Sequence, residues 1–287
     1  MNQRMTMLPR NFYDGSETLV GVRVCYPAAM PQPVPKAILF DLDDTLAASF
    51  ETPAPEMIER LIRVMARVPL SIITGRDFVH VEQGFLPRIT PYARPEHLFV
   101  MAESSADSYE WDGSAWQSVY RVAFPPDENA RIRAAIEEAL RKTRVLEGQQ
   151  IYGAQFVEKR GQFSFSMLGI EVPADMRYTW DPQHERRKAL QRELATRMPE
   201  YDVFLGGATT IDVTQRGINK AAGVRWLATR LGIEAAQMLY VGDALYPGGN
   251  DAVILETGAQ TRETSGPEET GRIIDELLAG YEATSDR

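Results

Sequence analysis

The 287-residue chain is short of the residues that build thiolate and imidazole sites: it has one cysteine and three histidines. Cys25 alone makes no internal disulfide and no cysteine-type zinc site, and is read as a small buried hydrophobe. His80, His97 and His184 are scattered, with no ligand spacing such as HxxxH. Positive charge is also scarce: 31 Lys and Arg stand against 40 Asp and Glu, a net charge of -9, which disfavours nucleic acid as a partner. No run of about 18 uncharged apolar residues occurs, and the N-terminal stretch lacks the apolar core of a signal peptide. No membrane partner is expected, and the expected address is the cytoplasm. The phosphate-cradling patterns GxGxxG and GxxxxGK are missing, so no nucleotide or redox cofactor is expected.

What remains is an ordinary globular composition, 44% hydrophobic and 25% charged, with chain enough for one or two domains. Residues 1–35 are irregular and end in Pro27, Pro31, Pro33 and Pro35, which no helix or central strand would hold, so they are read as an N-terminal extension. Ala37 to Phe40 form a short continuous apolar run, the pattern of a parallel strand buried on both faces. Beyond Thr52 and Pro53, Met57, Ile58, Leu61, Ile62 and Met65 recur at helical spacing, and a second buried run covers Leu70 to Ile73. Further on, a helix is expected from Asn219 to Leu231, a strand over Met238 to Val241, and a last helix with Ile273, Ile274, Leu277 and Leu278 on one face. This is an α/β, Rossmann-like doubly wound parallel sheet, formed by residues 36–110 with 208–287. Residues 111–207 read as about 100 residues of α+β chain, the size of an inserted domain. That segment holds 14 basic and 14 acidic residues, so the whole net negative charge lies in the flanking regions and suggests a cation site there.

In an open parallel sheet, ligands bind beyond the carboxyl ends of the strands. The first such end carries Asp41, Asp43, Asp44 and Thr45 of DLDDT; carboxylates this close repel unless a cation or a proton offsets them. A solvated acidic turn explains an isolated DxD, but less well one that caps a buried Ile-Leu-Phe run. The second end carries Thr74, Gly75 and Arg76, a hydroxyl and free N–H groups suited to a phosphoryl oxygen, though Thr-Gly alone is a common turn. Lys220 sits just inside a helix, where it could aim a point charge at a phosphate or equally be a solvated surface lysine. The fourth end is Gly242-Asp243, followed by a glycine-rich loop returning Asn250 and Asp251.

Together DLDDT, Thr74, Lys220 and GDALYPGGND resemble, in order, the four motifs of the haloacid dehalogenase (HAD) superfamily, subfamily IIB. GDALYPGGND, FVEKRGQFSFSMLG and FLGGATTIDVTQRGINK are similar to segments of eukaryotic-type phosphomannomutases, a likeness that runs from about residue 36 onward. The resemblance implies an aspartyl-phosphate mechanism, with Asp41 as nucleophile and Asp43 as general acid and base. It implies Mg²⁺ held by the Asp41 carboxylate, the Asp43 backbone carbonyl and Asp243, with Asp251 beside them. It makes residues 111–207 an inserted cap domain for substrate specificity; Thr74, Gly75, Lys220 and Asn250 would hold phosphate, and Arg160 of the cap would contact substrate, although a salt bridge with Glu158 suits its spacing as well. Mutases of this type carry basic residues where this chain has Phe50 and Ile170, and glycine where it has Asp44. The expected activity is therefore a Mg²⁺-dependent phosphatase acting on a sugar phosphate or similar small phosphate monoester, with phosphomannomutase as the alternative. The small-molecule ester is the expected partner, in a monomer or cap-mediated homodimer.

Overall fold

The computed structural model describes residues 34–285, so Cys25, Pro27, Pro31 and Pro33 lie outside the described residues. The chain runs β1 (Ala37–Phe40), α1 (Pro55–Met65), β2 (Leu70–Ile73), α2 (Phe78–Gly84), α3 (Leu86–Ile89), β3 (Leu98–Ala102), β4 (Asp107–Trp111) and β5 (Trp116–Arg121). It continues through α4 (Glu128–Thr143), β6 (Phe156–Glu158), β7 (Gln162–Ser166), α5 (Ala174–Thr179), α6 (Glu185–Arg197), β8 (Tyr201–Gly206) and β9 (Thr210–Gln215). It closes with α7 (Lys220–Leu231), β10 (Met238–Gly242), β11 (Gln260–Glu263) and α8 (Pro267–Ser285).

Two sheets organise these elements. The larger has the order β11-β10-β1-β2-β3-β4-β5, and its first five strands are parallel. Alternate residues of β1 serve opposite layers: Ile38 and Phe40 pack with α1, α2, α3 and α8, while Ala37 and Leu39 pack with α7. A strand covered on both faces favours apolar residues on each, which is why β1 and β10 are legible as continuous runs and β2 as a run broken at Ser71. The smaller sheet, β6-β7-β9-β8, is antiparallel and is covered on one face by α4 and α6 through Ile132, Ile136, Leu190 and Leu194. In β7, Phe163 and Phe165 enter that core, whereas Gln162 and Ser164 take the opposite face.

The sheets change over at different places from the expected boundaries of 111 and 207. β5 pairs with β4 and extends the larger sheet, while β9 pairs with β7 and β8 in the smaller one. Composition cannot register this, because only their pairing partners assign the two strands to a sheet. Tyr201–Gly206 and Thr210–Gln215, not expected as strands, form a hairpin that places β9 inside the smaller sheet and β8 at its edge.

The α7 helix is set close to the larger sheet by Gly223. A Cβ there would fall on Ser105 Oγ and lie 2.7 Å from Met101 Sδ. Gly223→Ala is therefore expected to destabilise the protein by about 1–3 kcal/mol through overpacking. Urea denaturation measures this, and an unchanged midpoint would mean that α7 has room to shift.

Candidate active site

Strand register brings the site together. Phe40 is paired with Ile72 of β2 and with Val241 of β10, so Asp41, Thr74 and Asp243 all emerge at neighbouring strand ends. β1 lies where the chain order of the sheet reverses, with β2 on one side and β10 on the other. That is the crevice at which doubly wound sheets bind ligands.

Asp41, Asp243 and Asp251 present carboxylate oxygens that all lie within 4.8 Å of one another. Lys220, the first residue of α7, reaches into this cluster with Nζ 2.9 Å from Asp41 Oδ1 and 2.7 Å from Asp251 Oδ1. Its helix is started by Asn219, whose side chain accepts from Ala222 N–H, so the cap fixes where the ammonium enters. The surface-lysine alternative is excluded: Lys220 is 1% exposed. The Tyr240 hydroxyl, on β10, donates to Asp251 Oδ1 at 2.6 Å and lies 3.2 Å from Lys220 Nζ. Asp41 Oδ1 also accepts from Leu42 N–H, while among the described residues Asp41 Oδ2 has no hydrogen-bond partner. Thr45 Oγ1 donates to Asp243 Oδ1.

These contacts leave three carboxylates and one ammonium in nearly dry surroundings. Burial pushes Asp41 well above the ordinary carboxylate range, against the pull of Lys220. Burial, then repulsion from Asp251, raises Asp243 to about 7. Burial opposes the Lys220 charge, but Asp251 and Asp41 outweigh it and hold the ammonium protonated. The cluster therefore demands further positive charge, and one consequence is thermodynamic. A carboxyl group whose folded pKa is raised takes up a proton more readily in the native state, so its contribution to stability falls as pH rises from 3.8 through about 7. The metal-free protein should lose thermal stability from this site over that window, and Mg²⁺ should raise Tm more at pH 8 than at pH 5. Calorimetry with and without Mg²⁺ checks both; a Mg²⁺ effect independent of pH would contradict the assignment.

The remaining expected residues divide. Thr74 is fully buried and its Oγ1 accepts from Arg76 N–H. Asn250 is buried with its Oδ1 lacking a hydrogen-bond partner, an orphan acceptor beside the loop that returns Asp251. The Asp43 carboxylate is not one of the clustered three and forms a bidentate pair with Arg76. Gly75 does not keep its carbonyl free, because Lys159 Nζ donates to it at 2.6 Å and Gln162 Nε2 at 3.1 Å. Arg160 is exposed, and the alternative pairing with Glu158 is absent because Glu158 pairs with Arg133 at 2.6 Å. The neighbour, Lys159, is the cation that the turn between β6 and β7 delivers to the larger sheet. Asp44 occupies a left-handed backbone position, φ +56°, which accounts for glycine being suited there. Its carboxylate accepts from Ser49 N–H, Ser49 Oγ–H and the Tyr178 hydroxyl of α5.

Several contributors escape the sequence pattern. Asp212 of β9 is buried, accepts from Ser164 Oγ and Gln162 Nε2, and is raised by burial. The segment after β3 places Glu103, Ser104 and Ser105 at positive φ in succession, all buried. Its Glu103 carboxylate accepts from Gly161 N–H and its Ser104 hydroxyl donates to Gln162, which docks the β6–β7 turn. No glycine marks this left-handed run, so the sequence gives no sign of it. Between the sheets lies a cleft of about 280 Å³, lined among others by Asp44, Tyr178, His184, Arg187, Asp243 and Tyr246. Arg187 there is buried and committed to Asp181 and to the Gly207 carbonyl.

Residues 164–257, which carry Lys220, Asp243 and Asp251, match the haloacid dehalogenase-like hydrolase family. Over most of its length the sequence is also similar to phosphomannomutases. It is 27% identical over 248 residues to a probable phosphomannomutase of Caenorhabditis elegans, covering 84% of this chain and 94% of that protein. It is 24% identical to the phosphomannomutase of Nicotiana benthamiana, with the same coverage of both chains. Among solved structures, IMP-bound Plasmodium falciparum IMP-nucleotidase shares the fold with a TM-score of 0.65 at 18% identity, over 85% of this chain and 68% of that one. The C-terminal domain of C. albicans trehalose-6-phosphate phosphatase aligns with a TM-score of 0.59 at 15% identity, over 86% and 93%. The likeness is thus to enzymes of the phosphatase and phosphomutase class. No helix among the described residues is long and apolar enough to cross a membrane.

Proposed function

We propose that this protein is a Mg²⁺-dependent phosphatase of sugar phosphates or similar small phosphate monoesters, working through an aspartyl phosphate on Asp41. The observation that carries the reading is the two-sided state of Asp41. One oxygen is fixed by Leu42 N–H and Lys220, and Oδ2 is left to attack phosphorus. Lys220, spanning Asp41 and Asp251, lies where it neutralises a phosphoryl oxygen approaching that carboxylate. Asp43 supplies the proton to the leaving oxygen and later takes one from water.

The donor set suits a hard divalent cation. All three clustered side chains offer carboxylate oxygens, and with Lys220 charged the site keeps a formal deficit of two positive charges. Asp41, Asp243 and the Asp43 carbonyl would hold Mg²⁺, with Asp251 beside them; when bound it neutralises charge on the transferring phosphoryl group. Residues 124–218, with the smaller sheet, would act as the cap. Its polar face of Gln162, Ser164 and Asp212 abuts the Gly75 loop, and its α5 and α6 line the cleft.

A second reading, hexose 1-phosphate and 6-phosphate interconversion, is favoured by the names of the curated relatives. Against it stand Phe50 and Ile170, both exposed apolar residues at positions where a bisphosphate would need cations. One cation does approach: the Arg177 guanidinium lies 4.7 Å from the Phe50 ring centre and donates to the Ser49 and Val172 carbonyls. Phosphate release from a panel of sugar phosphates, with Mg²⁺ and with EDTA, tests the choice when isomerisation is read in the same samples. Metal-dependent free phosphate is the expected outcome. Isomerisation stimulated by a hexose 1,6-bisphosphate, with negligible free phosphate, would reverse it.

A further inference from the structure

Asp43 is the member of the first motif whose carboxylate is gripped by an arginine. Arg76 Nη2 donates to Asp43 Oδ1 at 2.6 Å and Nε donates to Oδ2 at 3.0 Å. Phe50 N–H adds a second bond to Oδ1 at 2.9 Å. The two oxygens are therefore unequal: Oδ1 has two donors and Oδ2 has one, at the longer distance. Arg76 is itself fastened on every side. Its Nη2 donates to the Glu51 carbonyl, its N–H donates to Thr74 Oγ1, and its carbonyl accepts from Glu103 N–H. The pair is largely shielded, with the side chains 15% and 23% exposed, unlike the solvated ion pairs that contribute little.

Phe50 gives an independent sign that this arrangement is maintained for function. It has φ +68° and is 63% exposed. A bulky residue in the left-handed region is strained, and an exposed ring recovers little by packing. What the strained backbone does accomplish is to aim the Phe50 N–H at Asp43. A bidentate guanidinium and a strained amide converge on one carboxylate beside the candidate nucleophile.

We propose that Arg76 is the positioning residue for proton transfer by Asp43, which pivots on Oδ1 and carries the transferred proton on Oδ2; this rests on the phosphatase reading. In the first step Asp41 Oδ2 forms a bond to phosphorus and the ester P–O bond breaks. The bonding pair goes to the leaving oxygen, which takes the proton from Asp43 Oδ2. Asp43 is left as a carboxylate, with both Arg76 contacts available to it. In the second step water attacks phosphorus, its proton passes to Asp43 Oδ2, and the P–O bond to Asp41 breaks to release phosphate. Throughout, Nη2 and the Phe50 N–H hold Oδ1, so the proton-bearing oxygen moves by rotation about a fixed point.

The test compares leaving groups, because proton donation matters for an alkoxide and little for a nitrophenolate. The value of kcat/KM reports only the steps up to leaving-group departure. For Arg76→Ala, kcat/KM for hexose 6-phosphate should fall about 100-fold, the scale of general acid catalysis, and for p-nitrophenyl phosphate by less than about threefold. Arg76→Lys should be intermediate on the hexose ester, since an ammonium engages the carboxylate as a point rather than a fork. That variant keeps the charge and carries the comparison should the alanine protein fail to fold. Equal losses on both esters, as a phosphate-binding or purely structural role predicts, would overturn the proposal, as would no loss on either. A wild-type protein that turns over neither ester would overturn the phosphatase reading and this proposal together, which separates that failure from a uniform loss in an active enzyme.

Discussion

Asp41→Asn is expected to lower phosphate release by roughly 10⁴-fold or more while leaving the fold intact. The loss follows from removing the nucleophile itself, on whose bond to phosphorus both half-reactions depend. Stability should hold because the native carboxylate is in surroundings that resist its charge. The amide oxygen of asparagine still accepts from Leu42 N–H and Lys220, and Lys220 keeps Asp251 as its counter-ion. Steady-state phosphate release together with thermal denaturation separates the two effects. Undiminished turnover would remove Asp41 from the mechanism, whereas loss of both turnover and structure would make it a folding residue.

The second large effect is expected at Lys220. Lys220→Met keeps the volume and apolar stem of the side chain but deletes the ammonium that lies between Asp41 and Asp251. Breaking a buried ion pair by removing one partner costs about 3–5 kcal/mol, because the charge left behind has neither water nor counter-ion. Here two carboxylates are left behind, and among the described residues Asp251 retains only Tyr240 Oη–H and the Ala244 N–H as donors. Urea denaturation should show this loss, and phosphatase activity should vanish with it. The double variant Lys220→Met with Asp251→Asn should regain part of the stability and none of the activity. If the double variant were no more stable than the single one, the penalty would arise from packing rather than from stranded charge.

The sequence makes some of this legible and conceals the rest for physical reasons. Asp41, Asp243 and Lys220 can be found because each adjoins an element with a strong hydrophobic signal, a strand buried on both faces or an amphipathic helix. Parallel pairing then aligns the strand ends without further information. The contributions of the smaller sheet are harder to find. QFSFS in β7 has the alternation of a strand with one wet face, yet Gln162, Ser164 and Asp212 on that polar face are buried against the Gly75 loop. Nothing local distinguishes a polar face meeting water from one meeting another sheet. Spacing likewise does not show that Lys159, and not the exposed Arg160 beside it, reaches the Gly75 carbonyl, because one position in a tight turn changes where a side chain goes. Asp43 is legible as a motif residue, but its pairing with Arg76 joins positions 33 residues apart on two separate loops.

The central claim is covalent phosphoryl transfer through Asp41, and direct trapping of the intermediate tests it most simply. The wild-type enzyme, quenched during turnover of a sugar phosphate with Mg²⁺ and reduced with borohydride, should yield a peptide in which Asp41 has become homoserine. Asp41→Asn should yield none. Modification of a different aspartate, or turnover with no trapped acyl phosphate at any quench time, would contradict the account.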